Sequence, residues 1–385
     1  MRRAILLLAV SLLLAGRLDA QIGKRVSVHA GTPEDKALTE INATTDPAKK
    51  LELLNRFLAE FGQGEMALLA YELLISHHHE AKDIEKVYEY GEKALAADPG
   101  SFSIAMMLFH VAQEQNDAAR LFAYGEKIGN ILAQFKASGP PEGTEAAAWE
   151  QRKADTLAEE EGNIQYVQYT LFNAAYQNPN AEEKAAQMER YAMAFPDSQY
   201  TANAEAIAAG LLRQSQNFQK MQAFAQKALE RNPENPGMLL LLSDYWSETG
   251  TQLDQAEAYA TKLLEVLAKM EKPAHLTDEQ WMQQKSLQEG LGHSALGQIH
   301  IHKNRNAQAV EAFRAANPLL KPDAVSYARN LYRLGFVLAK MQRIPEARNV
   351  LAEAVAINSP YRPLAQDVLN RIGGAPAKAP PKKRP

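Results

Sequence analysis

The chain has 385 residues, of which 46% are apolar and 8% aromatic, and it contains no cysteine. Its 42 basic and 46 acidic residues give a net charge of −4, which argues against nucleic-acid binding because that function needs a basic face. Without cysteine, this chain has no disulfides, thiol catalysis or cysteine-based metal sites. Much of the apolar content is alanine and β-branched runs are scarce, so the composition favours helices over an extensive sheet.

Residues 1–20 have the pattern of a secretory signal peptide. Arg2 and Arg3 precede an uncharged, mainly apolar run over residues 4–16, and the segment ends in the small residue Ala20. That run is shorter than the roughly 20 residues that a membrane-spanning helix needs. The pattern predicts cleavage near Gln21, with an uncleaved anchor as the alternative, and no other stretch is predicted to cross a membrane. A flexible segment is expected over residues 21–45.

The chain repeats itself with a short period. The tetrapeptide Tyr-Gly-Glu-Lys occurs at residues 90–93 and returns at residues 124–127, a displacement of 34, which is the period of a helical-hairpin repeat. A chain of this kind folds by stacking similar units, so it forms a long surface in preference to one catalytic pocket. The repetition therefore favours a binding protein over an enzyme.

Two C-terminal units show the residues that such a hairpin needs: small residues where helices cross closely, large ones between them, and a proline after the second helix. They are Leu296, Gly297, His300, Ala309, Phe313, Ala316 and Pro322, and then Leu331, Leu334, Gly335, Leu338, Ala347, Leu351, Ala354 and Pro360. This pattern resembles the tetratricopeptide repeat (TPR) family, and the signal together with the repeat resembles an exported bacterial member. The resemblance implies an all-α, right-handed α-solenoid of helix-turn-helix repeats over residues 46–372.

A longer period of about 134 residues overlies the short one. Lys-Ala-Leu at residues 93–95 returns at residues 227–229, while Trp149 and Lys153 are matched by Trp281 and Lys285. This predicts a duplicated module over residues 46–179 and 180–305, followed by a truncated copy over residues 306–372. The loops before the two tryptophans are candidate binding sites because solenoid loops often bind partners. Residues 373–385, rich in proline and lysine, predict a disordered tail.

Several patterns resemble active sites but do not support one. Residues 77–79 are three histidines, which a helix points about 100° apart, so they do not chelate one ion together. Residues 292–296 (Gly-His-Ser-Ala-Leu) lack the final glycine of a nucleophile elbow and the strand that precedes it. No phosphate loop or dinucleotide fingerprint is present. No catalytic, cofactor or metal residue is therefore assigned, and the chain is not expected to be an enzyme.

The sequence thus predicts an exported scaffold, periplasmic or secreted, that binds a protein or peptide and no nucleic acid. A structural subunit of an envelope or secretion complex is the first alternative, and an envelope enzyme acting on glycan or peptide is the second. In the repeat register, certain positions of each first helix face the concave side. For the last two full repeats this gives a candidate partner-binding set, called here the groove set: Ser294, Gln298, His302, Arg329, Tyr332, Phe336 and Lys340.

Overall fold

The computed structural model describes residues 22–24, 26–273 and 276–373, and this part of the chain contains eighteen α-helices and no β-strand. The chain divides after Ala208 into two compact units. Unit 1 contains α1 Pro33–Ala43, α2 Pro47–Phe61, α3 Met66–Glu80, α4 Ile84–Ala97, α5 Phe102–Glu114, α6 Ala118–Ala137, α7 Ala146–Glu159, α8 Glu161–Gln177, α9 Ala181–Ala194 and the start of α10 Thr201–Gln214.

Unit 2 contains the end of α10 and eight further helices. They are α11 Phe218–Arg231, α12 Pro236–Thr249, α13 Leu253–Lys269, α14 Asp278–His302, α15 Asn306–Leu320, α16 Ala324–Lys340, α17 Ile344–Ala356 and α18 Arg362–Arg371. Within the described ranges, no helix combines the length and apolar character needed to cross a membrane. The predicted signal peptide and the tail from residue 374 onward lie outside the described residues.

The same tight turn joins the two helices of several hairpins. The residue before the N-cap of the second helix has a left-handed backbone, with φ between 54° and 59°, at Lys82, Asn116, Gln216, Asn304 and Gln342. In the first three hairpins the next residue is Asp or Asn, and its side chain accepts a hydrogen bond from the backbone N–H three residues later. Such N-caps stabilise a helix start. The shared turn therefore gives these five hairpins the same connection geometry.

The packing within the C-terminal hairpins follows the predicted repeat register. A Cβ placed on Gly297 would lie 2.5 Å from the Phe313 ring, and one on Gly335 would lie 2.5 Å from Leu351. In both hairpins, glycine of the first helix admits a large, fully buried side chain of the second. The two helices cross closely because the glycine has no side chain.

In unit 1 this arrangement is reversed. Gly91 of α4 and Gly125 of α6 are second-helix residues, and each lies directly against a leucine of the following repeat's first helix, Leu108 of α5 and Leu171 of α8 respectively. Both leucines are fully buried. The large side chain that the family pattern expects in the second helix is therefore supplied by the next repeat.

In unit 2 the first helices of successive hairpins lie side by side. α12 contacts α14, α14 contacts α16, and α16 contacts α18, whereas within this unit's described residues no comparable contact joins the second helices α13, α15 and α17. Because the first helices are closer together, they form the inner side of the array. The face formed by α12, α14 and α16 is called the inner face below.

The predicted fold class, an all-α solenoid of TPR-like hairpins, is confirmed. The predicted module boundaries stay a prediction. Trp149 lies in α7, which ends at Glu159 before a separate helix α8 begins, whereas Trp281 lies in α14, whose 25 residues continue without a break. The two tryptophan-containing segments thus adopt different helical structures.

Candidate functional site

The groove set lies on α14 and α16, two of the three helices of the inner face. Residues three, four or seven apart share one side of a helix, and this places Arg329, Tyr332, Phe336 and Lys340 near one side of α16. The structure adds α12, whose Asp244 and Glu248 approach α16 closely enough to form ion pairs. Side chains of all three helices, α12, α14 and α16, therefore contribute to the inner face.

Four charged side chains, called here the ion cluster, join α12 to α16: Asp244, Glu248, Arg329 and Arg333. Arg329 Nη1 lies 3.1 Å from Asp244 Oδ1 and 3.1 Å from Glu248 Oε1. Arg333 is paired with Glu248, and its Nη1 donates to Ser294 Oγ of α14 at 3.4 Å. Both arginines are buried, while 41% of the Glu248 side chain is exposed. The cluster therefore ties all three helices together and opens to solvent at Glu248.

Burial and charge act on the two arginines in different ways. Burial lowers the pKa of Arg329, but the carboxylates of Asp244 and Glu248 outweigh it, so the pKa lies above its usual value. Burial lowers the pKa of Arg333, and the nearby positive charge of Arg329 lowers it further. An arginine stays charged throughout the physiological pH range. The charges of the two buried guanidinium groups are consequently balanced by the carboxylates of Asp244 and Glu248.

The α14 members of the groove set are mainly engaged with their own protein. Ser294 is buried beneath Arg333. His302 Nε2 lies 3.0 Å from the backbone carbonyl of Ser247 in α12, and its ring covers Gly250 at the end of that helix. Gln298 is half-buried, with its Nε2 3.3 Å from His302 Nε2. These residues position α14 against α12, and Gln298 keeps part of its surface open.

The α16 members differ in exposure. Tyr332 is half-buried and stacks on Tyr361, with ring centroids 6.4 Å apart, against the C-terminal core. Phe336 is 41% exposed, so part of its ring is open to solvent. Lys340 is exposed, and its Nζ donates to Asn304 Oδ1 at 3.1 Å. Phe336, Lys340 and His302 are the exposed members of the groove set, and His302 is already engaged with the Ser247 carbonyl.

The repeat register placed Arg329 in the groove set, as a residue that faces a partner. The structure instead buries Arg329 in the ion cluster. Asp244, Glu248 and Arg333 were not selected. A signal for them exists in the sequence, because α12 carries two acids four residues apart and α16 carries two arginines with the same spacing. Matched i,i+4 pairs of opposite charge on first helices two repeats apart indicate such a cluster.

Two side chains of the segment around Trp149 cap the C-terminal end of α6. Lys153 is buried, and its Nζ donates to the backbone carbonyls of Lys136 at 2.9 Å and Ser138 at 3.1 Å. The Trp149 indole also donates to the Ser138 carbonyl, at 3.0 Å. Carbonyls at a helix C-terminus need donors from outside the helix. These two side chains therefore anchor α7 to the end of α6, which is a structural role.

The three adjacent histidines contact different groups. His78 is buried, with its Nδ1 3.4 Å from Asp83, and stacks on Tyr90, whereas His79 pairs with Glu114 of α5 at 3.2 Å. In the residues that the structure describes, no group of three or more His, Asp or Glu side chains is arranged to hold a metal ion. Ser294, the serine of the incomplete nucleophile elbow, lies inside the long helix α14.

No family model and no curated protein matches this chain. The solved structures that resemble it include two of TPR-repeat proteins. A chain of the APC/C hetero-tetramer Cut9-Hcn1 is 15% identical with a TM-score of 0.40, over 88% of this chain and 55% of that one. A monomeric IFIT1 mutant with m7Gppp-AAAA is 11% identical with a TM-score of 0.33, over 87% of this chain and 75% of that one. This chain spans about half the length of the matched Cut9-Hcn1 chain, and the likeness concerns helical architecture alone.

Proposed function

We propose that this protein is a scaffold that holds a protein or peptide partner across the inner face of unit 2. The observation that carries the proposal is the ion cluster, which fixes α12, α14 and α16 together while Phe336 stays 41% exposed on the same helix as Arg329 and Arg333. A rigid face loses little conformational entropy when it binds. Exposed aromatic side chains on such a face are typical binding hot spots.

The exposed groups of the inner face define the partner's chemistry. Phe336 offers an apolar contact, and Lys340, one helical turn further along α16, offers a cation. Gln298 on α14 adds an amide that donates and accepts hydrogen bonds. A segment with an apolar side chain followed by a carboxylate would satisfy these groups.

The proposal is tested with Phe336→Ala combined with Lys340→Glu. Both side chains are exposed, so the double variant is expected to keep the helicity of the parent. Partners captured from the native host by the parent and by the variant are compared by quantitative mass spectrometry. Glu311→Ala on α15, exposed on a second helix, serves as the control. Partners that the parent and the Glu311→Ala control both capture, and that the double variant does not, would support the proposal. Equal recovery of partners by all three proteins would contradict it.

We further propose that the scaffold acts in the bacterial cell envelope. This rests on the signal-like sequence of residues 1–20, with its two arginines, short apolar run and terminal Ala20. N-terminal mass analysis of protein from the native host is the test. A mature chain that begins near Gln21 supports export, and an intact Met1 species in the membrane fraction contradicts cleavage.

A further inference from the structure

Helix α8 of unit 1 exposes a row of aromatic side chains. Tyr166, Tyr169 and Tyr176 are 38%, 54% and 57% exposed, and Phe172 between them is half-buried. Positions three or four residues apart lie on one side of a helix, so these four residues, called here the aromatic row, share one face. At about 1.5 Å of rise per residue, the row is roughly 15 Å long.

The rings of the aromatic row are held in place by neighbouring groups. Phe172 stacks on Tyr176 and on Tyr200, with centroid distances of 6.1 and 5.0 Å. Tyr166 packs against His110 of α5 at 5.2 Å, and its hydroxyl donates to Gln113. Fixed and exposed tyrosines provide a large contact area at a small entropic cost. The row is therefore prepared for binding before any ligand arrives.

The part of α8 that carries the row is neutral and rich in amides. Between Asn163 and Gln177 the sequence contains no charged residue. Its polar side chains are chiefly amides, which donate and accept hydrogen bonds. Carboxylates border the two ends, Glu160 hydrogen-bonded to Asn163 and Glu183 to Asn178, with Lys184 Nζ 5.7 Å from the centre of the Tyr176 ring.

The spacing of the rings matches an extended proline-rich chain. A polyproline II helix has three residues and about 9.3 Å per turn. Tyr166 and Phe172 are six residues apart on α8, or about 9 Å, and Tyr169 and Tyr176 are seven apart, or about 10.5 Å. One turn of such a chain laid along α8 therefore spans alternate positions of the row. Its backbone carbonyls have no internal hydrogen bonds, so the side-chain amides of α8 can donate to them.

We propose that the aromatic row binds proline-rich segments in the polyproline II conformation, which aromatic-lined surfaces recognise in other proteins. The Glu160 carboxylate at the Tyr166 end favours a segment that also carries lysine or arginine. The proposal deepens the scaffold function by naming a partner class. Because it concerns unit 1, it is tested by variants that leave the inner face of unit 2 unchanged, so the two proposals fail separately.

The chain's own sequence provides a probe. A synthetic peptide of residues 375–385 contains prolines 376, 380, 381 and 385 and four basic residues, and its affinity for the full-length protein is measured by fluorescence anisotropy. The control peptide has the four prolines replaced by alanine and keeps every charge. The matched variants are Tyr169→Ala with Tyr176→Ala, the same pair changed to Phe, and Met193→Ala, which removes another exposed apolar side chain of unit 1.

We expect the Tyr-to-Ala pair to weaken binding at least about tenfold, while the Tyr-to-Phe pair and Met193→Ala stay close to the parent. The control peptide should bind much more weakly than the proline-rich one. Equal binding of the two peptides would show that only charge is recognised, and equal binding by parent and Tyr-to-Ala pair would exclude the row; either result overturns the proposal. Row-dependent binding of cellohexaose without peptide binding would overturn it in favour of a glycan.

Discussion

Gly297 of α14 lies directly against the ring of Phe313 in α15, so closely that a methyl group on the glycine would sit 2.5 Å from a ring carbon. Gly335 and Leu351 repeat this relationship in the next hairpin with the same separation along the chain. Both large side chains are fully buried. The small residue in the first helix thus fixes how closely the two helices of each hairpin approach.

Gly297→Ala should therefore destabilise the protein, by about 1–3 kcal/mol, because the added methyl group overpacks a rigid aromatic contact. Gly210→Ala is the control: nothing lies within 4 Å of a Cβ at that exposed helical position. Alanine there should stabilise the protein by up to about 1 kcal/mol through helix propensity. Urea unfolding measures both, and a Gly297→Ala protein as stable as the parent would show that the hairpin packing is wrong.

Asp244→Ala tests the ion cluster. It leaves Arg329 and Arg333, both buried, with only Glu248 as a carboxylate partner, and an uncompensated buried charge costs about 3 kcal/mol or more. Adding Arg329→Met leaves one cation, Arg333, beside one carboxylate, Glu248. The double variant should therefore recover much of the lost unfolding free energy. Glu40→Ala, which removes an exposed pair with Arg56, should cost at most about 1 kcal/mol. Similar unfolding free energies for Asp244→Ala and Glu40→Ala would contradict this account of the cluster.

Lys153→Met should weaken the attachment of α7 to α6. It removes the ammonium group that donates to the Lys136 and Ser138 carbonyls, both part-buried bonds, and hydrogen bonds from a charged donor contribute about 1.5–3 kcal/mol. Faster amide hydrogen exchange in α7 would report the local opening. Lys285→Met is the control from the duplicated segment, where the ammonium lies 6.0 Å from the Trp281 ring. Equal protection of α7 in the parent and in Lys153→Met would rule out the capping role.

Acidification should destabilise the protein through its half-buried histidines. Burial lowers the pKa of His110, His293 and His300, with Glu114, Glu289 and Glu257 respectively acting in the opposite direction. The unfolded chain then takes up protons first, near pH 6.5. The stability of the folded state with these histidines neutral is complete above that pH. It falls as the pH drops toward the folded-state pKa values. Thermal melts between pH 7.5 and 5.5 should show a smaller decrease for His293→Gln, and a decrease identical to the parent's would contradict this assignment.

The sequence predicted the fold well where the repeat pattern is local. Gly297 and Phe313 belong to one hairpin, so a single repeat contains both halves of the contact. Gly91 and Gly125 look like departures from the pattern when each repeat is considered alone. The leucines that compensate for them belong to the following repeat, and α7 separates Gly125 from Leu171. That compensation depends on tertiary packing, which the periodicity does not encode.

The candidate site was predicted less completely for the same reason. The register placed the groove set on α14 and α16, where Phe336 and Lys340 are exposed and Arg329 and Ser294 are buried. The register does not predict which charges are buried together. Arg329 meets Asp244 across 85 residues of sequence, so its burial follows from the approach of α12 to α16. Whether the groove set binds a partner stays a prediction.

Site-specific photo-crosslinking in the native host tests the scaffold function most directly. A photoreactive benzoylphenylalanine is placed at Phe336 on the inner face, or at Glu311 on α15 as the control, since both positions are exposed. The account predicts discrete crosslinked protein species from position 336 that are absent from position 311. Identical crosslinking patterns at the two positions, or no crosslinked protein at position 336, would contradict it.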